Sequence, residues 1–361
     1  MNNVMHLLVS GGYGGIEILA RNYSSRSEHN NTFVFVLRGG EITEQIRNAG
    51  VSVYILNGTT RRPLFLLDQL RKIIRKQRID TIVVHHDSPL LHFLARIIKI
   101  EMNRRVQIIS YVHCNPEDYL RTGGLGAKIR NSIITNSFRN ADKVVAISEF
   151  VKNKACDVFG VSKSKIFTIY NGVDVAKFEN DNHHHDLHNW LYVGRLERVK
   201  GVQVIIKALA ALPQDLDYQF NIIGDGPYRE ELERLANDYD IKDKVRFWGM
   251  QDDVASFMKK AGFFLFTPIW EEGFGISVVE AMASGLICIC ARSGALSEIL
   301  LDSETGFLVN KGSAEELAEK IRFALQLPES RLERIRLSAI DKSKEFDIDS
   351  YVIKFDEFIA N

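Results

Sequence analysis

The sequence has few cysteines, no long apolar run and no net charge. Its four cysteines, at positions 114, 156, 288 and 290, are scattered, and the last two alternate along one predicted strand, a poor geometry for a disulfide. This favours a reducing compartment. No apolar run approaches the roughly 20 residues of a membrane span, and the N-terminus lacks the basic region of a signal peptide. We therefore expect a cytoplasmic protein whose contact with a membrane, if any, is peripheral.

The net charge of zero conceals two halves of opposite sign. Residues 1–175 carry 24 Lys and Arg against 14 Asp and Glu, a net of +10, and the remainder carries −10. This asymmetry predicts that the N-terminal half faces something anionic, although it is also consistent with a dipole through which the halves attract each other. The length of 361 residues, with 45% apolar and 25% charged residues, indicates a globular protein of two domains.

Short apolar runs alternate with amphipathic helical segments, which is typical of α/β domains with parallel sheets covered on both faces. The runs predicted as strands are Val4–Val9, Thr32–Leu37, Val51–Leu56, Thr81–Val84, Gln107–Val112, Lys143–Ile147, Lys165–Ile169, Trp190–Val193, Tyr218–Ile223, Lys244–Trp248, Phe263–Thr267, Leu286–Ala291 and Gly306–Val309. A polar stretch with four histidines, 174–189, interrupts the pattern. The sequence thus predicts two doubly wound domains, at 1–175 and 190–345, with a linker at 176–189 and a ligand cleft between the domains.

The segment 270–285 is the most informative about function. The predicted strand Phe263–Thr267 leads into a loop with Gly273 and Gly275, and a helix is predicted over Ile276–Ala283. Glycines allow a ligand to approach the backbone, and the start of the helix offers unpaired N–H groups to an anion. Glu272 precedes these donors and Glu280 lies about one turn inside the helix. Such an arrangement suits a sugar nucleotide, with phosphates on the amides and hydroxyls on the carboxylates.

This segment resembles the E-x7-E signature of glycosyltransferase family 4, retaining enzymes of the GT-B fold that use nucleotide-sugar donors. The resemblance implies that Glu280 binds the donor ribose and Glu272 the hydroxyls of the transferred sugar. It also implies that the backbone of Phe274, Gly275, Ile276 and Ser277 meets sugar and phosphate, and that a helix near Asp349–Ala360, within a segment 346–361, crosses back to the N-terminal domain.

Further motifs of the C-terminal half match the family in order. Gly194-Arg195 and Lys200-Gly201 are similar to the G-R-x4-K-G element, in which Arg and Lys hold the donor diphosphate; the alternative is a solvated basic loop. Two further sets of residues are expected beside the nucleotide, although the first is also explained as an ordinary turn. These are Gly224 and Gly226, then Met250 and Gln251.

The N-terminal half carries weaker matches at predicted strand ends. Gly14 and Gly15, before Glu17, resemble the family's loop near the donor diphosphate, and a tight turn is the alternative. His113 corresponds to the histidine that contacts the donor sugar, although Cys114 follows where many relatives have Asp. Asn171 is a candidate donor contact or a turn residue. His85, His86 and Asp87 are candidates for the acceptor side, or surface residues.

The resemblance implies a retaining transferase that moves a hexose or N-acetylhexosamine from a nucleotide diphosphate sugar, with UDP favoured over GDP, to a lipid-linked or cell-surface glycan. His113, Glu272, Arg195 and Lys200 are the expected catalytic residues. No metal, cofactor or nucleic-acid partner is expected. The sequence offers no clear general base, which favours a front-face displacement over an attack by Glu272 on the anomeric carbon. A GT-B-like sugar-nucleotide epimerase and a non-catalytic partner subunit are the alternatives.

Residues 64–105 predict a basic region beside the acceptor domain. Apolar residues of 64–78 line one helix face, and Arg71, Lys72, Arg75 and Lys76 line another. Such a helix suits an anionic membrane surface or a lipid-linked acceptor, which would place the protein on the inner face of the plasma membrane. An ordinary solvated helix face is the alternative.

Overall fold

The computed structural model describes residues 1–12, 14–59, 62–85, 88–102, 105–180 and 185–361. The chain folds as two compact units. Unit 1 consists of Met1–Gly172 and Ile348–Asn361, and unit 2 of Val173–Asp347. Within the described ranges, every helix falls short of crossing a bilayer, in length or in apolar character.

Each unit is built on one parallel sheet. The strands of unit 1 are β1 (Asn3–Ser10), β2 (Asn30–Arg38), β3 (Ser52–Ile55), β4 (Thr81–Val84), β5 (Gln107–Val112), β6 (Lys143–Ala146) and β7 (Ile166–Thr168). Those of unit 2 are β8 (Asp186–Val193), β9 (Gln219–Ile223), β10 (Val245–Gly249), β11 (Ala261–Phe266), β12 (Ile287–Ala291) and β13 (Phe307–Val309). All pair in parallel. The predicted class of two doubly wound Rossmann-like domains is confirmed.

Helices connect the strands. They are α1 (Gly15–Ser24), α2 (Glu41–Asn48), α3 (Pro63–Gln77), α4 (Pro89–Glu101), α5 (Leu125–Asn140), α6 (Glu149–Phe159), α7 (Val175–Phe178), α8 (Val202–Ala210), α9 (Arg229–Asp238), α10 (Val254–Met258), α11 (Ile276–Ala283), α12 (Leu296–Ile299), α13 (Ala314–Leu325), α14 (Glu329–Ser343) and α15 (Ile348–Ala360). Side-chain oxygens cap the N-termini of three of them: Ser148 accepts from Val151 N at 3.1 Å, Asp253 from Ser256 N at 3.2 Å, and Ser313 from Glu316 N at 3.2 Å.

The strands of unit 2 show why apolar runs predict this sheet. Every residue of β11 and β12 is buried, as expected for strands covered on both faces. Cys288 and Cys290 fill two core positions of β12 as small apolar side chains, and all four cysteines, which lie in the described ranges, are free thiols. The strand β8 begins at Asp186, before the predicted start at Trp190. His183 and His184 of the predicted linker lie outside the described residues.

Strand order decides where a ligand can bind. The described strands of unit 1 follow the order β3-β2-β1-β4-β5-β6-β7, and those of unit 2 the order β10-β9-β8-β11-β12-β13. The direction of winding therefore reverses between β1 and β4, and between β8 and β11. Ligands of such sheets bind beyond the carboxyl ends of the strands at this switch point. Residues just after β1, β4, β8 and β11 are thus the best placed to contact one.

The helix α15 packs in unit 1, on the sheet face opposite the apolar cluster of α3 and α4. Met5 and Leu7 of β1 belong to that cluster, so His6 between them points to the other face. There Phe355 of α15 lies 5.2 Å from Tyr23, measured between ring centres. The Tyr23 hydroxyl donates to Asp356 at 2.6 Å. These contacts fix α15 to α1.

Candidate active site

The loop after β8 docks on the end of β11 through backbone contacts. Ile269 N donates to Val199 O at 2.9 Å, and the Thr267 hydroxyl donates to Gly201 O at 3.0 Å. Gly201 has φ +76°, and a Cβ there would lie 1.7 Å from Thr267 O. Only glycine fits this crossing. It brings Lys200, at the end of the turn Arg198–Lys200, to the loop that follows β11.

That loop carries Glu272, and a partly buried ion pair forms between it and Lys200. Lys200 Nζ donates to Glu272 Oε2 at 2.8 Å, and the two side chains are only 18% and 13% exposed. The Trp270 indole N–H reaches the same oxygen at 3.4 Å, and its ring centre lies 4.7 Å from Lys200 Nζ. Low exposure makes the pair stronger than one in open solvent, and the indole adds a cation–π contact.

The loop after β12 holds the Glu272 backbone. Ala295 N donates to Glu272 O at 2.9 Å, and Glu272 N donates to the Ser293 hydroxyl at 3.3 Å. Gly294 has φ +52°, and a Cβ there would lie 2.1 Å from Glu272 O. The Ser293 hydroxyl in turn donates to Trp270 O. Three neighbouring loops therefore fix the position of this carboxylate, which is the pre-organisation that a binding site needs.

Arg195 does not join this ion pair. Its guanidinium pairs with Glu197 at 3.0 Å and its side chain is 73% exposed. The backbone around it is fixed, because Tyr192 donates to Arg195 O at 3.2 Å. Of the two predicted diphosphate ligands, the structure holds Lys200 firmly and leaves the Arg195 side chain at the surface of unit 2.

The loops after β8, β9 and β10 also interlock. Gly224 N donates to Gly249 O at 2.8 Å, and Gly226 N to its neighbour Asp225 Oδ1 at 2.7 Å. Met250 is 76% exposed, and exposed Gln251 donates from its side-chain amide to Trp248 O at 3.0 Å. The predicted nucleotide residues thus follow β9, which pairs with β8, and β10, which pairs with β9, at the same edge of the sheet as Lys200.

The helix α11 begins at Ile276, as predicted, with Gly275 and Ser277 at its first turn. Phe274 is 2% exposed and packs on Phe346, with ring centres 5.6 Å apart, so its backbone alone can meet a ligand. Burial raises the pKa of Glu280 from 4.5 to about 7, and the Lys177 charge opposes that shift. Glu280 can therefore act as donor or acceptor near neutral pH.

In unit 1 the predicted residues lie at strand ends. Gly14 and Gly15 follow β1 and start α1, whose first turn buries Glu17. Asn171 is 7% exposed, and its Oδ1 has no hydrogen-bond partner among the described residues. A buried amide oxygen in that state is a ready acceptor for a ligand group.

His113 follows β5 and is held on two sides. Its ring stacks on Tyr111 with centres 4.3 Å apart, and its backbone N–H donates to the Tyr119 hydroxyl at 2.8 Å. Its Nε2 lies 3.2 Å from Nδ1 of His85. His85, an acceptor-side candidate, is buried at 3% exposure and so is no surface residue. His86 and Asp87 lie outside the described residues.

Sequence reasoning missed two groups that complete these clusters. Trp270 lies two residues before Glu272, and only the structure shows that its indole N–H donates to the carboxylate oxygen that also accepts from Lys200. His6 is buried in β1, where a histidine inside an apolar run was a usable signal, because a buried polar group needs a hydrogen-bond partner. Across the described ranges, no group of three or more His, Cys, Asp or Glu is arranged to hold a metal ion.

Comparisons with known proteins agree with this arrangement. A model described as "Glycosyltransferase Family 4" matches residues 13–177, and one described as "Glycosyl transferases group 1" matches residues 176–339. An uncharacterized glycosyltransferase of Methanocaldococcus jannaschii is 34% identical over 57% of this chain, which spans about half (55%) of that protein.

Two further proteins resemble most of the chain. The Campylobacter jejuni N-acetylgalactosamine-N,N'-diacetylbacillosaminyl-diphospho-undecaprenol 4-alpha-N-acetylgalactosaminyltransferase is 25% identical over 78% of this chain and 77% of its own length. The crystal structure of Anabaena HepE in complex with UDP superposes with a TM-score of 0.86 over 100% of both chains, at 19% identity, which shows a shared fold. With its two Rossmann-like units and both family models matched in order, the chain belongs to glycosyltransferase family 4 and has the GT-B fold.

Proposed function

We propose that this glycosyltransferase retains anomeric configuration and moves a hexose or N-acetylhexosamine from a UDP-sugar to a lipid-linked or cell-surface glycan. The ion pair between Lys200 and Glu272 carries the proposal. It places a fixed ammonium and a fixed carboxylate at the switch point of unit 2, before the start of α11. A cation neutralises the diphosphate as it leaves, and a carboxylate accepts from sugar hydroxyls.

Other residues complete the donor site. The exposed guanidinium of Arg195 adds a second cation for the diphosphate, Glu280 binds the ribose, and the backbone N–H groups at the start of α11 meet phosphate. Asn171 and His113 of unit 1 contact the sugar. The cationic side chains supply the charge that a metal ion would otherwise provide, so we propose a reaction that needs no metal.

The ion pair also bears on the reaction course. Glu272 already accepts from Lys200 and Trp270, and a carboxylate held in this way is a poor nucleophile. In the proposed front-face displacement, the bond from the anomeric carbon to the diphosphate oxygen breaks and the acceptor oxygen bonds to the same face. The acceptor proton passes to the departing diphosphate oxygen. Near-normal turnover of Glu272→Ala would exclude a nucleophilic Glu272.

Two sources support the choice of donor and acceptor. UDP is bound in the HepE structure of the same fold, and the C. jejuni relative is named for a diphospho-undecaprenol acceptor. In unit 1, exposed apolar side chains lie in the first turns of α3 and α5, at the sheet edge that carries His113: Leu64, Phe65, Leu125 and Ile129. They suit a lipid acceptor or a membrane surface, and a role in cell-envelope polysaccharide synthesis follows.

The basic face of α3 should contribute less to the binding of anionic membranes than its sequence implies. Arg71 pairs with Glu101, and Lys72 pairs with Asp68 at 2.7 Å. We therefore expect peripheral binding to anionic vesicles to depend more on Leu64 and Phe65 than on these cations. Sedimentation with vesicles should fall for Leu64→Ser with Phe65→Ser and stay nearly unchanged for Arg71→Ala with Lys72→Ala. The reverse ranking would contradict this part of the proposal.

Thermal-shift measurements test the donor most simply. A ligand that binds the folded state stabilises it by about 2.7 kcal/mol at 100 times its Kd, so the tighter ligand gives the larger shift at equal concentration. UDP and UDP-sugars, with EDTA present, should therefore raise the melting temperature more than GDP and its conjugates. A stronger response to GDP, or none to UDP, would overturn the donor assignment. Incubation with donor alone separates the epimerase alternative, because an epimerase interconverts sugars and a transferase at most hydrolyses its donor slowly.

A further inference from the structure

A row of three rings, two of them buried and the third half-buried, crosses unit 1 from the start of β2 to the end of β5. His6 Nε2 lies 2.9 Å from Asn31 Oδ1, and His6 Nδ1 lies 2.9 Å from His85 Nε2. His85 Nδ1 lies 3.2 Å from His113 Nε2. His6 and His85 are at most 3% exposed. Each ring therefore joins the next by a nitrogen-to-nitrogen contact, and we call this set the histidine row.

The hydrogen bonds of Asn31, at one end of the histidine row, fix which nitrogen donates and which accepts in each contact. The Asn31 side-chain N–H donates to His29 O at 3.2 Å, so the amide cannot be turned over without setting its oxygen against a carbonyl. Asn31 Oδ1 therefore faces His6 and accepts from His6 Nε2–H. His6 Nδ1 is left as an acceptor and takes the Nε2 proton of His85. By the same step, His85 Nδ1 accepts from His113 Nε2–H.

His6, the first ring of the row, is neutral under ordinary conditions. Burial lowers the pKa of His6 from 6.5 to about 4, outweighing the hydrogen bond to Asn31 and the charge of Asp356. A row of three neutral imidazoles carries three N–H protons, which is the number that three hydrogen bonds in one direction require. The reverse direction would set His6 Nε2 and Asn31 Oδ1, two acceptors, 2.9 Å apart.

We propose that Asn31, His6 and His85 are positioning residues that hold His113 in the tautomer with its proton on Nε2. The Nδ1 atom of His113 then carries the lone pair, so any group that it contacts must be a hydrogen-bond donor. In the glycosyl transfer proposed above, on which this role rests, that group is a sugar hydroxyl. Because an amide cannot take up a proton, the row sets an orientation and does not carry protons away.

NMR of the enzyme labelled with 15N-histidine tests the tautomer without any substrate, since protonated and lone-pair ring nitrogens have different shifts. His113→Gln assigns the signal. Wild type should show His113 protonated at Nε2. In Asn31→Leu, His6 Nε2 loses its acceptor, so each proton moves to Nδ1 and His113 becomes the Nδ1–H form. Asn31→Asp still accepts from His6 and should keep the wild-type form.

A second variant covers the case in which Asn31→Leu fails to fold. His6→Phe keeps a ring against Phe33, on which His6 stacks with centres 4.5 Å apart, but removes the acceptor for His85 Nε2–H. His113 should again change to the Nδ1–H form. Phe33→Leu is the matched control, because it disturbs the same packing and leaves every hydrogen bond of the row in place. It should keep the wild-type form.

Kinetics then separate the tautomer from the function. We expect kcat to fall about tenfold in Asn31→Leu and His6→Phe, with the donor KM little changed and Asn31→Asp near wild type, as for other buried orienting partners. If the enzyme transfers no sugar, the proposed function is wrong, but the NMR experiment still tests whether the histidine row sets the tautomer of His113. Wild-type His113 protonated at Nδ1, or unchanged in both variants, would overturn the inference.

Discussion

Unit 1 has the strand order of unit 2 with one more strand, β7, but the two units differ in the polar groups at the carboxyl ends of their strands. Unit 2 holds opposite charges together, with Lys200 and Glu272 at 2.8 Å. Unit 1 holds imidazole rings, with His6, His85 and His113 in a row. Fixed charges suit phosphate and leaving-group chemistry, and imidazole nitrogens suit hydroxyl groups. The same fold thus presents two kinds of polar group, and the side chains at the switch point make the difference.

The largest effect should follow from removal of the charge in unit 2. Lys200→Ala takes away the donor that we propose for the departing diphosphate, and loss of one such donor lowers kcat by about 10²- to 10³-fold. Steady-state transfer assays with a UDP-sugar measure this. Lys207→Ala, an exposed lysine of α8, is the matched control and should turn over like wild type. Equal activity of the two variants would remove the basis for the comparison.

Substitution of Gly201, at the crossing that brings Lys200 to Glu272, should have the next largest effect. Gly201→Ala sets a Cβ 1.7 Å from Thr267 O at φ +76°. We expect a loss of about 3 kcal/mol or more in the free energy of unfolding, measured by urea titration. Gly312 has φ +80°, but a Cβ added there would meet no atom within 4 Å, so Gly312→Ala should cost only about 1 kcal/mol. Similar losses would show that the close approach is unimportant.

Glu280 should make the stability of unit 2 depend on pH. Its pKa rises from 4.5 to about 7 on folding, so the folded state binds more protons between these values. Stability from this group is therefore present below about pH 4.5 and lost as the pH rises through 7, a difference of about 3 kcal/mol. The stability of wild type relative to Glu280→Gln should fall over that range. A flat difference would place Glu280 in contact with solvent.

The smallest effect should come from an ion pair of unit 1 that lies in solvent. Arg71 and Glu101 are each 38% exposed, against 18% and 13% for Lys200 and Glu272. Solvent screening makes such exposed pairs weak. Arg71→Ala should therefore leave the urea midpoint unchanged within error. A clear loss would mean that exposure does not separate the two ion pairs.

The sequence predicted the fold well because its signals are local. Buried parallel strands are continuous apolar runs, and Thr81–Val84 and Gln107–Val112 have the predicted bounds. The start of β8 was missed because Asp186, His188 and Asn189 are polar and only later residues of the strand are buried. The fold class can be predicted from such local patterns. The predicted bounds of a strand are wrong where burial changes along that strand.

The candidate site was less predictable because its contacts are not local. Lys200 and Glu272 were both expected near the donor, yet their pairing across 72 residues depends on Gly201 crossing the end of β11. Arg195 was expected beside Lys200, but a nearer carboxylate, Glu197, takes its guanidinium. His6 was passed over because its hydrogen-bond partners, Asn31 and His85, come from two other segments of the chain.

Calorimetric titration of UDP-glucose, with EDTA present, tests the central claim that a fixed lysine in unit 2 binds the diphosphate of the donor. Wild type should bind, and Lys200→Ala should bind about 100-fold more weakly, since a charge-assisted contact to phosphate is lost. Equal affinity of the two proteins, or binding by wild type only after a divalent metal is added, would contradict the account.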